Sequence, residues 1–203
     1  MKLQKNISII AGSISVIALS ISIIFNCCCD DEYVSNLFMG VFSSAILVCA
    51  TSLVTYFYER NKTIYMLYEG CTTFKQTFTK VIRTGNRIDF NLLKDIFSIV
   101  IESYKKDIYY QVCALNDSMI KNTKLNKLVL NIWEQSRHLY LLVVDDNEKL
   151  HSYLLNNISL EELQKYEFHF VSSESVEYMK KLNDAQEELA YYMNYYNLRK
   201  SEA

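Results

Sequence analysis

What the chain lacks is informative before what it has. Proline is absent from its 203 residues, and there are only four glycines, Gly12, Gly40, Gly70 and Gly85. With so little to punctuate the backbone, long helices are favoured over turn-rich β structure. Charge is also missing from two stretches, one between Lys5 and Asp30 and one between Glu32 and Glu59. Each gap reaches the length of roughly 20 residues that a helix needs to cross a bilayer core. The pattern predicts two transmembrane helices, Ile7–Phe25 and Val34–Tyr56, with a turn at 26–33. No ionisable residue lies inside either span, which excludes a proton relay, a voltage sensor or an ion-coupled transporter, all of which need one.

Lys2 and Lys5 ahead of an apolar run resemble the start of a signal peptide. The run is long for a signal h-region, and Ile24, Phe25 and Asn26 lack the small residues that cleavage near Cys27 requires. The same residues break a lipoprotein cleavage site, so the segment is expected to stay in the membrane. Basic residues are retained on the cytoplasmic side. Lys2, Lys5, Arg60 and Lys62 flank the outer ends of the hairpin, while the turn carries Asp30, Asp31 and Glu32. The expected product is a two-span inner-membrane protein with both termini cytoplasmic. Residues 1–58 form its hairpin and 59–203 a cytoplasmic domain.

The turn contains Cys27, Cys28 and Cys29 in a row. Three consecutive thiols on a short turn cannot all face one tetrahedral zinc, and the CxxC spacing is missing. A disulfide within the triplet would be strained. Two readings stay open: cysteines serving as small apolar residues at a membrane edge, and cross-links between subunits in an oxidising exterior.

Small residues repeat along both spans. On the first they are Ser8, Ala11, Ser15, Ala18 and Ser22 with Gly12 beside them, and on the second Gly40, Ser43, Ser44, Ala50 and Thr51. Seams of this kind let helices approach closely. Either both pack the hairpin against itself, or one does so while the other packs between subunits or lines a pore.

Beyond Glu59 the apolar residues recur at helical spacing. Ile64, Leu67, Cys71, Phe74, Phe78, Val81 and Ile82 extend the second span as a stalk to about Arg83, with Gly85 as its stop. A helix from an Asp89 N-cap to about Leu115 carries Leu93, Ile96, Phe97, Val100, Ile101 and Tyr104. The next is expected from Met119 to Val144, with a new segment after Asp145–Asp146. Ser159 and Glu162 fit a capping box. A last helix from Ser173 to Leu198 repeats Val176, Met179, Leu182, Gln186, Leu189 and Met193. The runs Leu139–Val144 and Tyr166–Val171 are β-prone and admit short strands. The expected class is all-α, a two-helix transmembrane hairpin followed by a long-helix cytoplasmic bundle.

All 21 basic residues and all but three of the 23 acids fall on the predicted cytoplasmic side, so that part is nearly neutral. Its lysine clusters read as solvated faces, and nucleic acid is not the expected partner. Sixteen tyrosines are many for this length, and Tyr191, Tyr192, Tyr195 and Tyr196 crowd the last helix on two faces. Tyrosine suits interfaces because it buries area while keeping a polar tip, so these four are candidates for contact with a protein partner.

Signs of catalysis are few. Glu148 and His151 make one E-x-x-H step, whereas di-iron bundles need two such steps and two more glutamates. Arg137–His138 beside Asp145–Asp146 comes with no nucleophile motif, and G-x-S-x-G, Walker and H-E-x-x-H patterns are missing. Helical HEPN ribonucleases carry an arginine four to six residues before a histidine, and none of His138, His151 and His169 has one there. No enzyme activity, cofactor or metal is expected. In layout the chain resembles small two-span membrane effectors and accessory proteins of bacterial antiphage systems, including CRISPR-associated and reverse-transcriptase-associated ones. The resemblance implies a homo-oligomeric effector that forms or gates a membrane lesion when a cytoplasmic partner or signal triggers it. The alternative is a membrane-anchored scaffold whose helical bundle docks a protein.

Overall fold

A computed structural model describes residues 1–29, 31–85, 90–117 and 123–195. Every element is helical, and no strand occurs among the described residues. The β-prone runs therefore resolve differently from a strand: Leu139–Val144 lies inside a helix, and His169–Val171 forms a single 3-10 turn. The helices are α1 (Lys2–Ile24), α2 (Glu32–Gly85), α3 (Phe90–Ser103), α4 (Tyr110–Asn116), α5 (Lys124–Leu154), α6 (Leu160–Lys165) and α7 (Ser173–Tyr195). Two compact units divide the chain, Met1–Lys62 and Thr63 onward.

The first unit is an antiparallel pair made by α1 and the start of α2. Ser8, Ala11, Ser15, Ala18 and Ser22 are all buried, at alternating steps of three and four. Opposite them Phe38, Phe42, Ala45, Cys49, Ser52 and Tyr56 are half-buried at the same steps, with Ser35 fully buried. This is the seven-residue repeat of a two-helix seam, with small residues on α1 receiving larger ones from α2. A π-helical turn, Phe25–Cys29, ends α1.

In the second unit, Ile64, Leu67, Cys71, Phe74, Phe78 and Val81 of α2 enter the core, joined by Phe97, Val100, Ile132, Leu139, Val143, Leu182 and Leu189. A π-helical turn, Tyr104–Tyr109, separates α3 from α4. It lies against Gly70, where an added Cβ would stand 2.3 Å from the carbonyl oxygen of Asp107. Only glycine admits so close a backbone approach. Antiparallel α5 and α7 bring His138 face to face with Tyr178, ring centroids 4.5 Å apart, while Lys124 reaches over the Tyr191 ring.

Two helix ends and one inward-facing position differ from expectation. The hydroxyl of Thr123 caps α5 by accepting the Asn126 N–H at 3.2 Å, whereas the expected start at Met119 lies outside the described residues. α5 also runs straight through Asp145–Asp146 to Leu154, because Asp146 is buried and bonded there rather than ending the helix. Val176, expected to face inward, is 62% exposed, and Ser175 takes the buried place by donating to the Phe170 carbonyl at 2.7 Å. The capping box at Ser159 and Glu162 forms as expected, and α2 is helical through Gly85, with the residues after it outside the described ones. Asp89 lies outside the described residues.

Candidate functional site

The hairpin is built from hydroxyls and small side chains. At one end Ser22 and Ser35 clasp each other: the Ser22 hydroxyl donates to the Ser35 carbonyl at 3.0 Å, and Ser35 donates back to Ser22 at 3.2 Å. Midway, Ser8 donates to the Cys49 carbonyl at 3.4 Å, and Gly12 has room for no more than a Cβ before meeting the Cys49 sulfur. At the other end Glu59 accepts from the Met1 amine at 2.7 Å and from the Gln4 amide at 3.1 Å.

The seam residues Ser8, Ala11, Ser15, Ala18 and Ser22 are therefore spent inside the hairpin. Gly40 and Ser44 are not. Nothing lies within 4 Å of a Cβ built on Gly40. With Ala11, Ile14, Leu37, Val41, Ala45 and Val48, they line an open groove of about 640 Å³ along one flank of the pair. Both helices are long and apolar enough to cross a membrane, and their apolar windows are only 28% and 6% buried. In water such a surface would be a large unpaid hydrophobic exposure; in lipid it is matched to its solvent. Outward hydroxyls are compatible with that setting, because Ser13, Ser20, Ser43, Thr51 and Thr55 each donate to the carbonyl four residues earlier. Cys27 is an exposed free thiol in the π turn, whereas the side chains of Cys28 and Cys29 lie outside the described residues.

In the second unit Tyr191 and Tyr195 are 67% and 71% exposed on α7, with Tyr192 half-buried. Tyr196 lies outside the described residues. Glu148 and His151 both sit on the exposed face of α5, and no group of three metal-ligating side chains occurs among the described residues.

The polar feature that sequence reading missed is Asp146. Its carboxylate is fully buried and accepts the backbone N–H of His169 at 2.9 Å, that of Phe170 at 2.8 Å, and the Tyr166 hydroxyl at 3.1 Å. The His169 Nδ1 lies 3.1 Å from the same carboxylate. Burial pushes the Asp146 carboxyl above the ordinary carboxylate range, and these hydrogen bonds and His169 pull it partly back. The result is a latch that pins the 3-10 turn and the start of α7 to α5. The hint in the sequence is a carboxylate in step with the apolar positions Leu139, Val143 and Leu150, three residues beyond Val143.

Compared with protein-family models, curated proteins and solved structures, the chain shows no significant match.

Proposed function

We propose that the chain is an integral inner-membrane protein whose hairpin inserts with both termini cytoplasmic. Copies then assemble through the hairpins to form or gate a membrane lesion in response to a cytoplasmic partner or signal. The observation that carries this reading is a helix pair with charge-free spans whose mutual contact consumes the α1 seam and leaves the Gly40–Ser44 groove and nearly all the apolar surface outward. A second small-residue surface beyond the one that closes the hairpin is what a further helix needs for close approach in lipid. The layout is that of antiphage membrane effectors, and such a role in defence belongs to the same proposal.

The test is membrane potential, followed with a voltage-sensitive dye during controlled expression. Native chain should depolarise cells, while Gly40→Leu and Ser44→Leu, which leave the hairpin seam alone, should not. Ser22→Leu disrupts the hairpin itself and serves as the folding control. A potential that stays steady with the native chain, with and without its genomic neighbours, refutes the lesion.

The exposure of Tyr191 and Tyr195 favours a second reading, a membrane-tethered adaptor. Replacing the hairpin by an unrelated two-span anchor separates the two, since an adaptor keeps working and a lesion does not form.

A further inference from the structure

Lys75 is a half-buried lysine in the second unit, and its surroundings are unusual for a cation. Its ammonium donates to the neutral Asn183 side-chain oxygen at 2.7 Å. Among the described residues no carboxylate lies within 4 Å of it. The nearby Glu187 is engaged instead by the other end of the same asparagine, whose amide donates to it at 2.7 Å. An ammonium has three donors, so two remain for something else. Desolvation pushes the Lys75 ammonium below its ordinary range, with Cys71 and Glu187 pulling it partly back. Charges removed from water are normally paired.

Lys75 is one of the residues, with Thr72, Gln76, Thr79 and Lys80 on consecutive turns of one α2 face, that line a groove of about 470 Å³. The threonines offer it no donors: Thr79 donates to the Lys75 carbonyl, and Thr72 to that of Tyr68. α7 fixes the groove's edge, with Gln186 donating to Thr72 at 2.7 Å and to the Tyr68 carbonyl at 2.9 Å. The side-chain donors that remain along the groove's lining are thus the two lysines and the Gln76 amide.

We propose that this groove binds a phosphate-bearing small molecule, its phosphoryl oxygens taken by Lys75 and Lys80 with Gln76 alongside. A phosphoryl group supplies three strong acceptors and up to two negative charges, which matches several donors around one half-buried cation better than a single carboxylate does. The site is independent of the lesion reading, since it lies in the second unit and its test reads binding rather than conductance.

The experiment uses the full chain in detergent micelles, with thermal unfolding followed by fluorescence of Trp133. Inorganic phosphate and pyrophosphate are titrated against sodium chloride at matched ionic strength, with acetate as the carboxylate control. Pyrophosphate is expected to raise the midpoint saturably, and acetate not to. Lys75→Gln should weaken pyrophosphate by about tenfold, the scale of one charge-assisted hydrogen bond, with Lys80→Gln weaker in effect and Lys75→Arg retaining binding. If Lys75→Gln fails to fold by circular dichroism, Lys80→Gln and Lys75→Arg carry the comparison. No shift beyond the chloride control in the native chain, or an unchanged response in the glutamine variants of Lys75 and Lys80, overturns the site.

Discussion

Replacing Asp146 by alanine should be the most damaging single polar substitution in the second unit. The change leaves the N–H groups of His169 and Phe170 without an acceptor, and the latter is buried. An orphaned buried donor costs about 1–3 kcal/mol, and the Tyr166 hydroxyl loses its carboxylate as well. Removing a buried carboxylate also relieves its own desolvation, so the net loss is about 3 kcal/mol rather than the full sum. For a unit of this size that is a midpoint drop on the order of 10 °C. Asp146→Asn should cost less, because one acceptor oxygen survives while its NH₂ is forced against the second backbone N–H. Trp133, in α5, makes fluorescence-detected melting of the full chain in micelles a direct readout of this unit. A loss below about 1 kcal/mol for Asp146→Ala would mean that the 3-10 turn holds its place without the latch, and the reasoning fails.

Gly70→Ala should destabilise by about 1–3 kcal/mol, because the new Cβ collides with a backbone oxygen that cannot swing away; a melting point equal to the native one would show that the π turn yields. Native-state maleimide labelling read by peptide mass spectrometry should modify Cys27 and Cys113 and spare Cys71, which is buried and whose thiol is pushed up to about 12 by desolvation. Fast labelling of Cys71 without denaturant would contradict the packing of α2. Glu162 is held below the ordinary glutamate range by hydrogen bonds from Ser159, so its contribution to the α6 cap is complete above the unfolded value and lost as pH falls through the folded one. Protection of the α6-start amides against hydrogen exchange, relative to the intrinsic rate at each pH, should therefore fall in acid for the native chain, and Glu162→Gln should flatten that dependence.

The Ser22–Ser35 clasp bears on how the charge-free part of the hairpin, away from the Met1–Glu59 ion pair, holds together. In lipid the apolar side chains gain nothing from leaving one phase for another, so helix association rests on close packing and hydrogen bonds. Each clasp serine donates to the opposite backbone and lies within 3.1 Å of the other hydroxyl. Such interhelical bonds are worth about 0.6 kcal/mol on average, so Ser22→Ala should loosen the pair only slightly, while Ser22→Leu wedges it apart. That difference separates lost bonding from lost approach in any assay of hairpin integrity.

Local order was written in the sequence because helix formation answers to neighbours three and four residues away. The charge gaps before and after Asp31, the stripe from Ile64 to Val81 and the capping box at Ser159 could all be read without coordinates. The periodicity of small residues on α1 also foretold a seam. What it could not tell was which partner the seam takes, since Ser15 facing α2 and Ser15 facing another copy look alike in one dimension. Tertiary structure decided that the α1 seam closes the hairpin while Gly40 and Ser44 stay open. It likewise decided that Asp146 continues α5 rather than ending it, because its hydrogen-bond donors come from His169 and Phe170, more than 20 residues away. The π turn at Tyr104–Tyr109 belongs to the same kind. Its place is shared with Gly70 on another helix, and no local rule connects the two. Periodicity names the faces of a helix, but only the packed chain says what each face meets.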